Sequence, residues 1–475
     1  MERFVTNSLR GPPPIFNGAS SWRRYLHYLR DPLDFFSSMQ REHGAMAGLG
    51  NPIPLMGGKR RFILTSGAQY NPIVLGRTDL FRPGGQVLRG PRNSAHYRIR
   101  QGLFSMYGAH QTADRRMMQP PFLKPVMASY VGAMSQLVDT FIDRWRNLER
   151  VDMYEEMRRL SNWVAAHLLF GSDDFHASRR FGETIEQWLL LDSAARARLS
   201  VVDLPGSTFR RVLRKAEDVE AMMKAEIQRK RDAAAGGSDV LSILIDASAK
   251  DPAALPEWRL IAHAVILYAA SFETTANALA WTLFLIAQHP KVAAELHEEI
   301  DGAATNWPPD CRTLDELPLL DGVLKESMRL LPPVAYTFRT PMAPVEIDGL
   351  NLGIKDKILL VHYLTHRDPA VFPNPNRFDP KRWFGAKPDP YEYVAFSAGP
   401  RLCLGVSFAQ LELKLTIARI MQRFRFALIP GSQIDAGVQL TLRPMSGVPM
   451  TVAPQDRDFA AAKVTGNIHR IVELN

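Results

Sequence analysis

Residues 396–405 read Phe396-Ser397-Ala398-Gly399-Pro400-Arg401-Leu402-Cys403-Leu404-Gly405, and an apolar helical pattern from Val406 to Phe424 follows directly. Cys403 therefore stands in a glycine-bracketed loop just before a helix N-terminus, where free N–H groups and the positive end of the helix dipole favour a thiolate. A lone thiol is more often a small apolar core residue. In this loop a metal ligand is the more specific interpretation, because Phe396 can cover the sulfur, Arg401 can neutralise a neighbouring anion and Gly405 permits a close backbone approach.

The composition is that of a folded globular protein. With 46% hydrophobic and 23% charged residues among 475, the chain can build a large core, which excludes disordered, collagen-like and disulfide-scaffold classes. Its two cysteines, Cys311 and Cys403, are too few for a disulfide framework or a four-thiolate zinc site. The net charge of +9 is spread along the chain, which argues against a dedicated nucleic-acid binder.

Residues 1–17 carry charged side chains and a run of prolines in place of the apolar core of a signal peptide or membrane anchor. We therefore expect a cytoplasmic protein with no membrane anchor. The chain shows no internal repeat or low-complexity linker, so residues 1–475 are predicted to form one domain. Its ends are expected to be an N-terminal arm at 1–20 and a C-terminal tail at 455–475.

Hydrophobic periodicity predicts a mainly α fold with a small antiparallel β subregion. The glycines and prolines of 82–108 are typical of a long mobile loop, and loops of this length are often functional. Helical patterns cover 20–42, 112–170, 178–231, 260–289, 292–301, 319–331 and 406–424. Short alternating runs that predict strands cover 61–65, 345–352, 357–361, 438–442 and 448–452.

The longest apolar stretch, 260–289, is long enough to span a membrane. Its centre carries Glu273, Thr274 and Asn277, which hydrocarbon would make costly, so we predict a long helix through a protein core. The polar patch has two interpretations. It is either a satisfied hydrogen-bond cluster of the core or part of a functional site.

These segments resemble the cytochrome P-450 superfamily, the haem-thiolate monooxygenases, in their soluble bacterial-type form. All five fixed positions of the signature F-x-x-G-x-R-x-C-x-G are matched, by Phe396, Gly399, Arg401, Cys403 and Gly405. The distal-helix motif, the E-x-x-R helix and a later arginine-bearing segment follow the family order, at 270–275, 326–329 and 374–378. The resemblance implies the cytochrome P-450 fold, with Cys403 as the axial ligand to the iron of haem b.

Glu326 and Arg329 lie three residues apart and so share one helix face. The resemblance implies that they are buried behind the haem and that Arg377 adds a second cation to the same carboxylate. We therefore assign these three residues to folding and haem retention. The alternative for such a pair is a solvated surface ion pair worth less than about 1 kcal/mol.

The resemblance also requires cations for the haem propionates, and it points to Arg401, Arg339 and Arg115. The match around Arg115 departs from the family pattern, because Gln111, with His110 beside it, stands where relatives carry Trp or His. One propionate contact is therefore made by Gln111 or His110, or is absent. The alternative for each arginine is a solvated surface charge.

A thiolate ligand promotes cleavage of the O–O bond, which is how this family oxidises unactivated carbon. The resemblance assigns Thr274 as the hydroxyl beside dioxygen and Glu273 as the carboxylate that delivers protons. This pair argues against relatives that use peroxide directly. Ser271 stands where a glycine is common, which leaves the width of the dioxygen groove open.

Position within the family places five residues in the walls of the substrate pocket: Ala269, Ala270, Val334, Ala335 and Met445. These walls are mostly apolar, which predicts a lipophilic small-molecule substrate. The loop at 82–108 is expected to complete the pocket. Four arginines of that loop either recognise a carboxylate on the substrate or are simply solvated, namely Arg89, Arg92, Arg98 and Arg100.

We expect no attached flavin or ferredoxin domain, so electrons should come from a separate ferredoxin or flavodoxin-type donor with its reductase. Cations around the cysteine helix indicate a basic proximal face for such an acidic partner, namely Arg401, Lys414, Arg419 and Arg423. The alternative is that these charges merely solvate the helix. The protein is expected to be a monomer.

The leading hypothesis is a monooxygenase that inserts one oxygen atom from O2 into a lipophilic compound, by hydroxylation or epoxidation, in secondary or fatty-acid metabolism. A second hypothesis keeps the haem and changes the outcome to oxidative coupling, desaturation or decarboxylation. A third, a non-enzymatic haem gas sensor, would need a signalling domain, for which the tail at 455–475 is too short.

Overall fold

The computed structural model describes residues 2–6, 12–51, 60–84, 88, 90–193, 202–233, 237, 239–303, 307–385 and 387–474. Helices dominate, as the periodicity predicts. They are α1 Gly18–Arg30, α2 Pro32–His43, α3 Ala95–Ile99, α4 Gly108–Met118, α5 Met127–Asp143, α6 Met153–Phe170, α7 Phe175–Ser193, α8 Thr208–Asp232, α9 Val240–Lys250, α10 Glu257–Gln288, α11 Pro290–Ala303, α12 Cys311–Asp315, α13 Pro318–Leu330, α14 His362–Thr365 and α15 Val406–Arg423.

The strands are short and lie between and after the helices. They are β1 Glu2–Phe4, β2 Ile15–Phe16, β3 Met46–Gly50, β4 Arg61–Thr65, β5 Phe81–Gly84, β6 Arg150–Asp152, β7 Thr337–Pro341, β8 Val345–Ile347, β9 Leu350–Leu352, β10 Lys357–Leu360, β11 Phe424–Leu428, β12 Ala436–Val438, β13 Leu442–Pro444 and β14 Pro449–Pro454.

The largest sheet in the described chain orders its strands β2-β3-β4-β10-β7-β5. Strand β4 pairs in parallel with β10, and β10 pairs antiparallel with β7. Strand β1 also pairs in parallel, with β8. The small sheets are therefore mixed, whereas the sequence predicted only antiparallel pairing, because strands that are distant in the chain join through long helical connections.

Helix α10 forms the centre of the core. It is buried almost continuously from Leu260 to Gln288, and it packs against α6, α8, α13, α15 and strand β13. A helix that is apolar on all sides is stable only when other elements surround it, so the prediction of a core helix is confirmed. Within the described ranges, the structure contains no helix with the length and apolarity needed to cross a membrane.

Several element boundaries differ from the predicted ones because prolines interrupt the periodicity. The pattern at 20–42 is two helices, since Asp31 caps α2 and Pro32 occupies its first position. The pattern at 112–170 is divided where Pro120 and Pro125 begin short 3-10 turns. The predicted strand at 438–442 is instead the turn between β12 and β13. The predicted loop at 82–108 includes most of β5 and the short helix α3.

Candidate haem site

The Cys403 loop is shaped by two left-handed residues, Ser397 and Gly399, and by one backbone hydrogen bond. Gly399 has φ of 64°, and a Cβ there would lie 3.2 Å from Tyr391 Oη, so only glycine suits this turn. The Cys403 N–H donates to the carbonyl of Phe396 at 2.8 Å. This bond closes the loop directly before α15, with Phe396 half-buried beneath it.

The side chain of Cys403 lies in a recess. It is exposed, whereas Cys311 is half-buried. Burial nevertheless raises the pKa of the Cys403 thiol, and the Gly405 N–H and Arg115 oppose that rise. Both observations hold because solvent reaches the residue from one side while protein surrounds it on the others. The space beside Gly405 is also open, since a Cβ there would meet only the Phe122 ring, at 3.7 Å.

Three arginines near the recess have no anionic partner among the described residues. Arg115 donates to the Leu402 carbonyl at 2.8 Å, Arg401 donates to the Met106 carbonyl, and Arg339 donates to a neighbouring carbonyl. Burial and the charge of Arg401 lower the pKa of Arg339 to about 10, and burial and the charge of Arg115 lower the pKa of Arg401 to about 10.

Arg339 is buried and the other two arginines are half-buried, and cations in such positions that repel one another are costly unless an anion joins them. Two carboxylates of a haem would supply that charge, and the recess beside them offers a single cysteine sulfur to the iron. Among the described residues, no cluster of three or more histidine, cysteine, aspartate or glutamate side chains could hold a metal ion by itself. The residues present therefore fit an iron porphyrin with Cys403 as its protein ligand.

The two candidates for the additional propionate contact, Gln111 and His110, differ in their exposure on α4. Gln111 is buried and lies one turn before Arg115, so both share one helix face. His110 is exposed. Gln111 is therefore placed to contribute to the interior of the site, and His110 is not.

Glu326 and Arg329 form a fully buried pair. Two bonds, of 2.8 and 2.9 Å, join their side chains, and neither residue has exposed surface. The alternative of a solvated surface pair is therefore wrong. Arg329 also donates to three backbone carbonyls, those of His366, Pro375 and Arg377.

The second cation on Glu326 is Arg382 and not Arg377, which corrects the sequence prediction. Arg382 Nε donates to Glu326 at 2.8 Å, as do the Asp379 N–H and Trp383 Nε1 at 3.0 and 2.9 Å. The side chain of Arg377 is exposed. The short helical turn at Pro380–Trp383 directs Arg382 toward the carboxylate, and no local pattern distinguished the two arginines.

The polar centre of α10 contains two different kinds of hydrogen bond. Thr274, which is half-buried, donates to the carbonyl of Ala270 at 3.0 Å within the helix. Glu273 is buried, and it accepts a bond of 2.6 Å from the hydroxyl of Thr441, far away in sequence. Burial raises the pKa of the Glu273 carboxyl. Sequence reasoning missed Thr441, because a threonine in a hairpin turn carries no distinguishing local pattern.

The predicted pocket residues differ in exposure. Ala269 and Ala335 are buried, while Ala270 and Val334 are half-buried. The Leu442 N–H donates to the Pro333 carbonyl at 2.8 Å, which brings the β12–β13 hairpin beside Val334. Met445, at the end of this hairpin, is 45% exposed.

Three of the four cations of the predicted basic face, those on α15, are neutralised within the chain, and only Arg401 has no anionic partner among the described residues. Lys414 is buried and pairs with Asp315 and Asp321. Arg419 and Arg423 both pair with Asp139 of α5, and Arg423 also binds Asp143. These charges join α15 to neighbouring helices and leave little positive surface for a partner.

Two of the four loop arginines are also paired with carboxylates of the chain. Arg98 pairs with Glu220 of α8 through two bonds of 2.7 Å, and Arg100 pairs with Asp192 of α7. These two arginines are therefore ion-paired rather than simply solvated, and they are not free for a substrate carboxylate. Arg92 is exposed, and Arg89 lies outside the described residues.

Comparisons with known proteins agree with this arrangement. The sequence profile of the family described as Cytochrome P450 matches residues 17–445. Cyclooctatin synthase of Streptomyces melanosporofaciens is 28% identical over 90% of this chain and 92% of its own length. Cyclooctat-9-en-7-ol 5-monooxygenase of the same organism is 28% identical over 91% of this chain and 92% of its own length.

A solved structure, the retinoic acid-bound cyanobacterial CYP120A1, superposes with a TM-score of 0.79 and 25% identity, covering 94% of this chain and all of the other. The predicted fold is thereby confirmed. The family match spans the recess, the arginines and the centre of α10. This chain therefore belongs to the cytochrome P450 family of haem-dependent monooxygenases.

Proposed function

We propose that this protein inserts one oxygen atom of O2 into a lipophilic small molecule, by hydroxylation or epoxidation, with haem b as its cofactor. The proposal rests on two features that occur together. Cys403 is accessible, and Arg115, Arg339 and Arg401 have no anionic partner among the described residues. When bound, the haem would supply the activation of O2, which its thiolate ligand promotes.

Cys403 would hold the iron, and the bond from its N–H to the Phe396 carbonyl keeps the loop in place. The three arginines would bind the propionates, with Gln111 beside Arg115. The buried pair of Glu326 and Arg329 supports the site from behind through its bonds to the segment 366–383. These roles are structural, because none of them moves a proton.

Protons are handled by Thr274 and Glu273, which are adjacent on α10. The Thr274 hydroxyl is half-buried, and its bond to Ala270 is intrahelical, so a rotation about one side-chain torsion frees it to donate elsewhere. Burial favours the protonated form of Glu273, which suits a group that donates a proton at neutral pH. Glu273 and Thr274 therefore provide a carboxylic acid and an alcohol at adjacent positions of α10.

A lipophilic substrate is supported by the apolar residues Ala269, Ala270, Val334 and Ala335, which are buried or half-buried. The relatives' names point the same way, since they mention an unsaturated alcohol and retinoic acid, and both molecules are largely hydrocarbon. Because Arg98 and Arg100 are paired, a carboxylate on the substrate would not bind to them.

We infer that an acidic ferredoxin or flavodoxin, served by its own reductase, delivers electrons at the surface formed by α4 and the Cys403 loop. Arg116 of α4 is exposed, with no carboxylate partner among the described residues, and Leu402 beside Cys403 is 42% exposed. Arg115 joins α4 to Leu402. An apolar contact bordered by positive charge is suited to a transient acidic partner.

The haem-thiolate assignment is tested by the absorption spectrum of the reduced, carbon-monoxide-bound protein. We expect a Soret band at the position typical of thiolate ligation, and its loss in Cys403→Ala. The matched control is Cys311→Ala, which should keep the band. A histidine-type spectrum in the wild type, or an unchanged spectrum in Cys403→Ala, would refute the proposal.

A further inference from the structure

The Glu273 carboxyl is held from outside its own helix. Thr441, 5% exposed in the turn between β12 and β13, donates to Glu273 Oε1 at 2.6 Å. Asn277, one turn further along α10, donates its Nδ2–H to the same Thr441 oxygen at 2.9 Å. Because an amide NH2 group can only donate, it leaves the Thr441 proton directed at Glu273.

The turn that carries Thr441 is held in place by hydrogen bonds to its backbone. Trp281 of α10 donates to the Leu442 carbonyl at 3.2 Å, and the Leu442 N–H donates to Pro333 at 2.8 Å. The turn is therefore tied both to α10 and to the segment that follows α13. Since these bonds do not involve the Thr441 side chain, removing its hydroxyl should leave the hairpin in place.

The charged groups around Glu273 have opposite effects on the pKa of its carboxyl. Glu186 of α7 raises its pKa, while Arg443 of β13 and Arg158 of α6 lower it. Both arginines also bind Glu186, so their charges are already shared. Tyr154 of α6 faces the same group. Among the described residues, Thr441 is the sole hydrogen-bond donor to the carboxyl, and its bond is the largest effect that opposes burial.

We propose that Thr441 is a positioning residue, whose hydroxyl, oriented by Asn277, holds the Glu273 carboxyl in the place from which it exchanges protons. The inference rests on the proposed proton role of Glu273. In each cycle Glu273 would release one proton toward Thr274 and take one back from solvent, so its own protonation state is restored. A bond of 2.6 Å from a hydroxyl is suited to the ionised form that exists between these two events.

The hairpin also connects two parts of the site. Its turn is bonded to Glu273 on one side and to Pro333, next to the predicted pocket residue Val334, on the other. A substrate that displaces this wall would therefore move the donor on which Glu273 depends.

The experiment compares Thr441→Val, which loses the hydroxyl at nearly constant volume, with Thr441→Ser, which keeps it. Thr282→Val is the matched control, because Thr282 is buried on α10 and, in the described part of the chain, its hydroxyl bonds only within its helix, to the Ala278 carbonyl. The haem-loaded proteins are studied in two ways. Infrared difference spectra follow the Glu273 carboxyl, identified by its absence in Glu273→Gln, and peroxide release is measured with a plant-type ferredoxin, its reductase and NADPH.

In Thr441→Val we expect the carboxyl to titrate at higher pH than in the wild type, because a donor to its ionised form is lost. The peroxide released per NADPH should rise by about tenfold, the factor typical of one hydrogen bond to a charged group. Thr441→Ser should restore both values, and Thr282→Val should change neither.

Unchanged titration and unchanged peroxide release in Thr441→Val would overturn the inference. So would a failure of Thr441→Ser to restore them, since the defect would then come from packing. If Glu273→Gln itself leaves peroxide release unchanged, the proposed proton role fails, while the infrared titration still reports whether Thr441 holds the carboxyl. The two failures are therefore distinguishable.

Discussion

Arg382 donates to the Glu326 carboxylate at 2.8 Å across 56 positions of sequence, and this bond completes the buried group of charges behind the Cys403 loop. Glu326 is fully buried and receives donors from Arg329, Arg382, Trp383 and the Asp379 backbone. These donors satisfy the hydrogen-bonding capacity of both carboxyl oxygens inside the core. The same group holds the segment after Asn374 against α13.

We expect Glu326→Gln to lower the free energy of unfolding by about 3–5 kcal/mol, because it leaves Arg329 buried without its anion. Arg382→Gln should cost roughly 1.5–3 kcal/mol, the range for a hydrogen bond to a charged group. Arg377→Gln is the control and should be nearly neutral, since its side chain is exposed. Urea unfolding and haem content measure these effects. Equal losses in the two arginine variants would contradict the structure.

Arg339 should have opposite effects with and without the cofactor. In haem-free protein, Arg339→Gln removes a buried cation that Arg401 repels, so we expect the free energy of unfolding to rise by about 1–2 kcal/mol. In haem-loaded protein the same change should weaken haem retention. The measurements are urea unfolding of the haem-free form and the rate of haem transfer to apomyoglobin. Arg116→Gln, at an exposed position, is the control and should alter neither.

If Arg339→Gln destabilises both forms alike, the arginine serves the fold and not the propionates. That result would remove one of the three cations on which the haem fit depends.

The buried carboxyl of Glu412 on α15 should make the stability of the protein depend on pH. It has no exposed surface, and its carboxyl oxygens have no hydrogen-bond partner in the described part of the chain. Burial raises the pKa of Glu412 from 4.5 to about 8, and a weaker influence of Ser161 lowers it. The folded protein therefore keeps a proton that the unfolded chain releases.

Because the folded state binds the extra proton, Glu412 makes stability fall as pH rises from 4.5 toward 8, and its effect is absent below 4.5. Glu412→Gln, which is neutral at every pH, should abolish this part of the slope and stabilise the protein by a few kcal/mol at pH 8. Urea unfolding at several pH values between 5 and 8 provides the measurement. Parallel curves for the two proteins would show that Glu412 is ionised in the fold.

The ion pair of Arg98 with Glu220 joins α3 to α8 and should slow ligand exchange. The pair is partly exposed, so Arg98→Gln is expected to change stability by no more than about 1 kcal/mol. Its main effect should be faster binding and release of a haem ligand such as phenylimidazole, followed by stopped-flow spectroscopy. Arg92→Gln, at an exposed position on the same segment, is the control. Identical exchange rates in the two variants would show that α3 does not limit access.

Local chemistry could be predicted from the chain alone. The glycines around Cys403, the three-residue spacing of Glu326 and Arg329, and the apolar length of α10 each depend on backbone geometry within a few residues. Such patterns have a fixed period, so they indicate a loop, a shared helix face or a buried helix without knowledge of the remaining chain. The helix-rich fold class follows from such patterns, whereas the assignment of Cys403 as haem ligand comes from the family resemblance and stays a proposal.

Partners that are distant in sequence required the folded structure. Arg382 rather than Arg377 binds Glu326, Asp139 neutralises two cations of α15, and Thr441 reaches Glu273 across 168 positions. Each choice depends on where helices and turns pack, and a single charged or hydroxyl residue carries no local pattern that specifies its partner. Periodicity therefore identifies the elements and the reactive residues, whereas packing determines which charges remain available for the cofactor and for another protein.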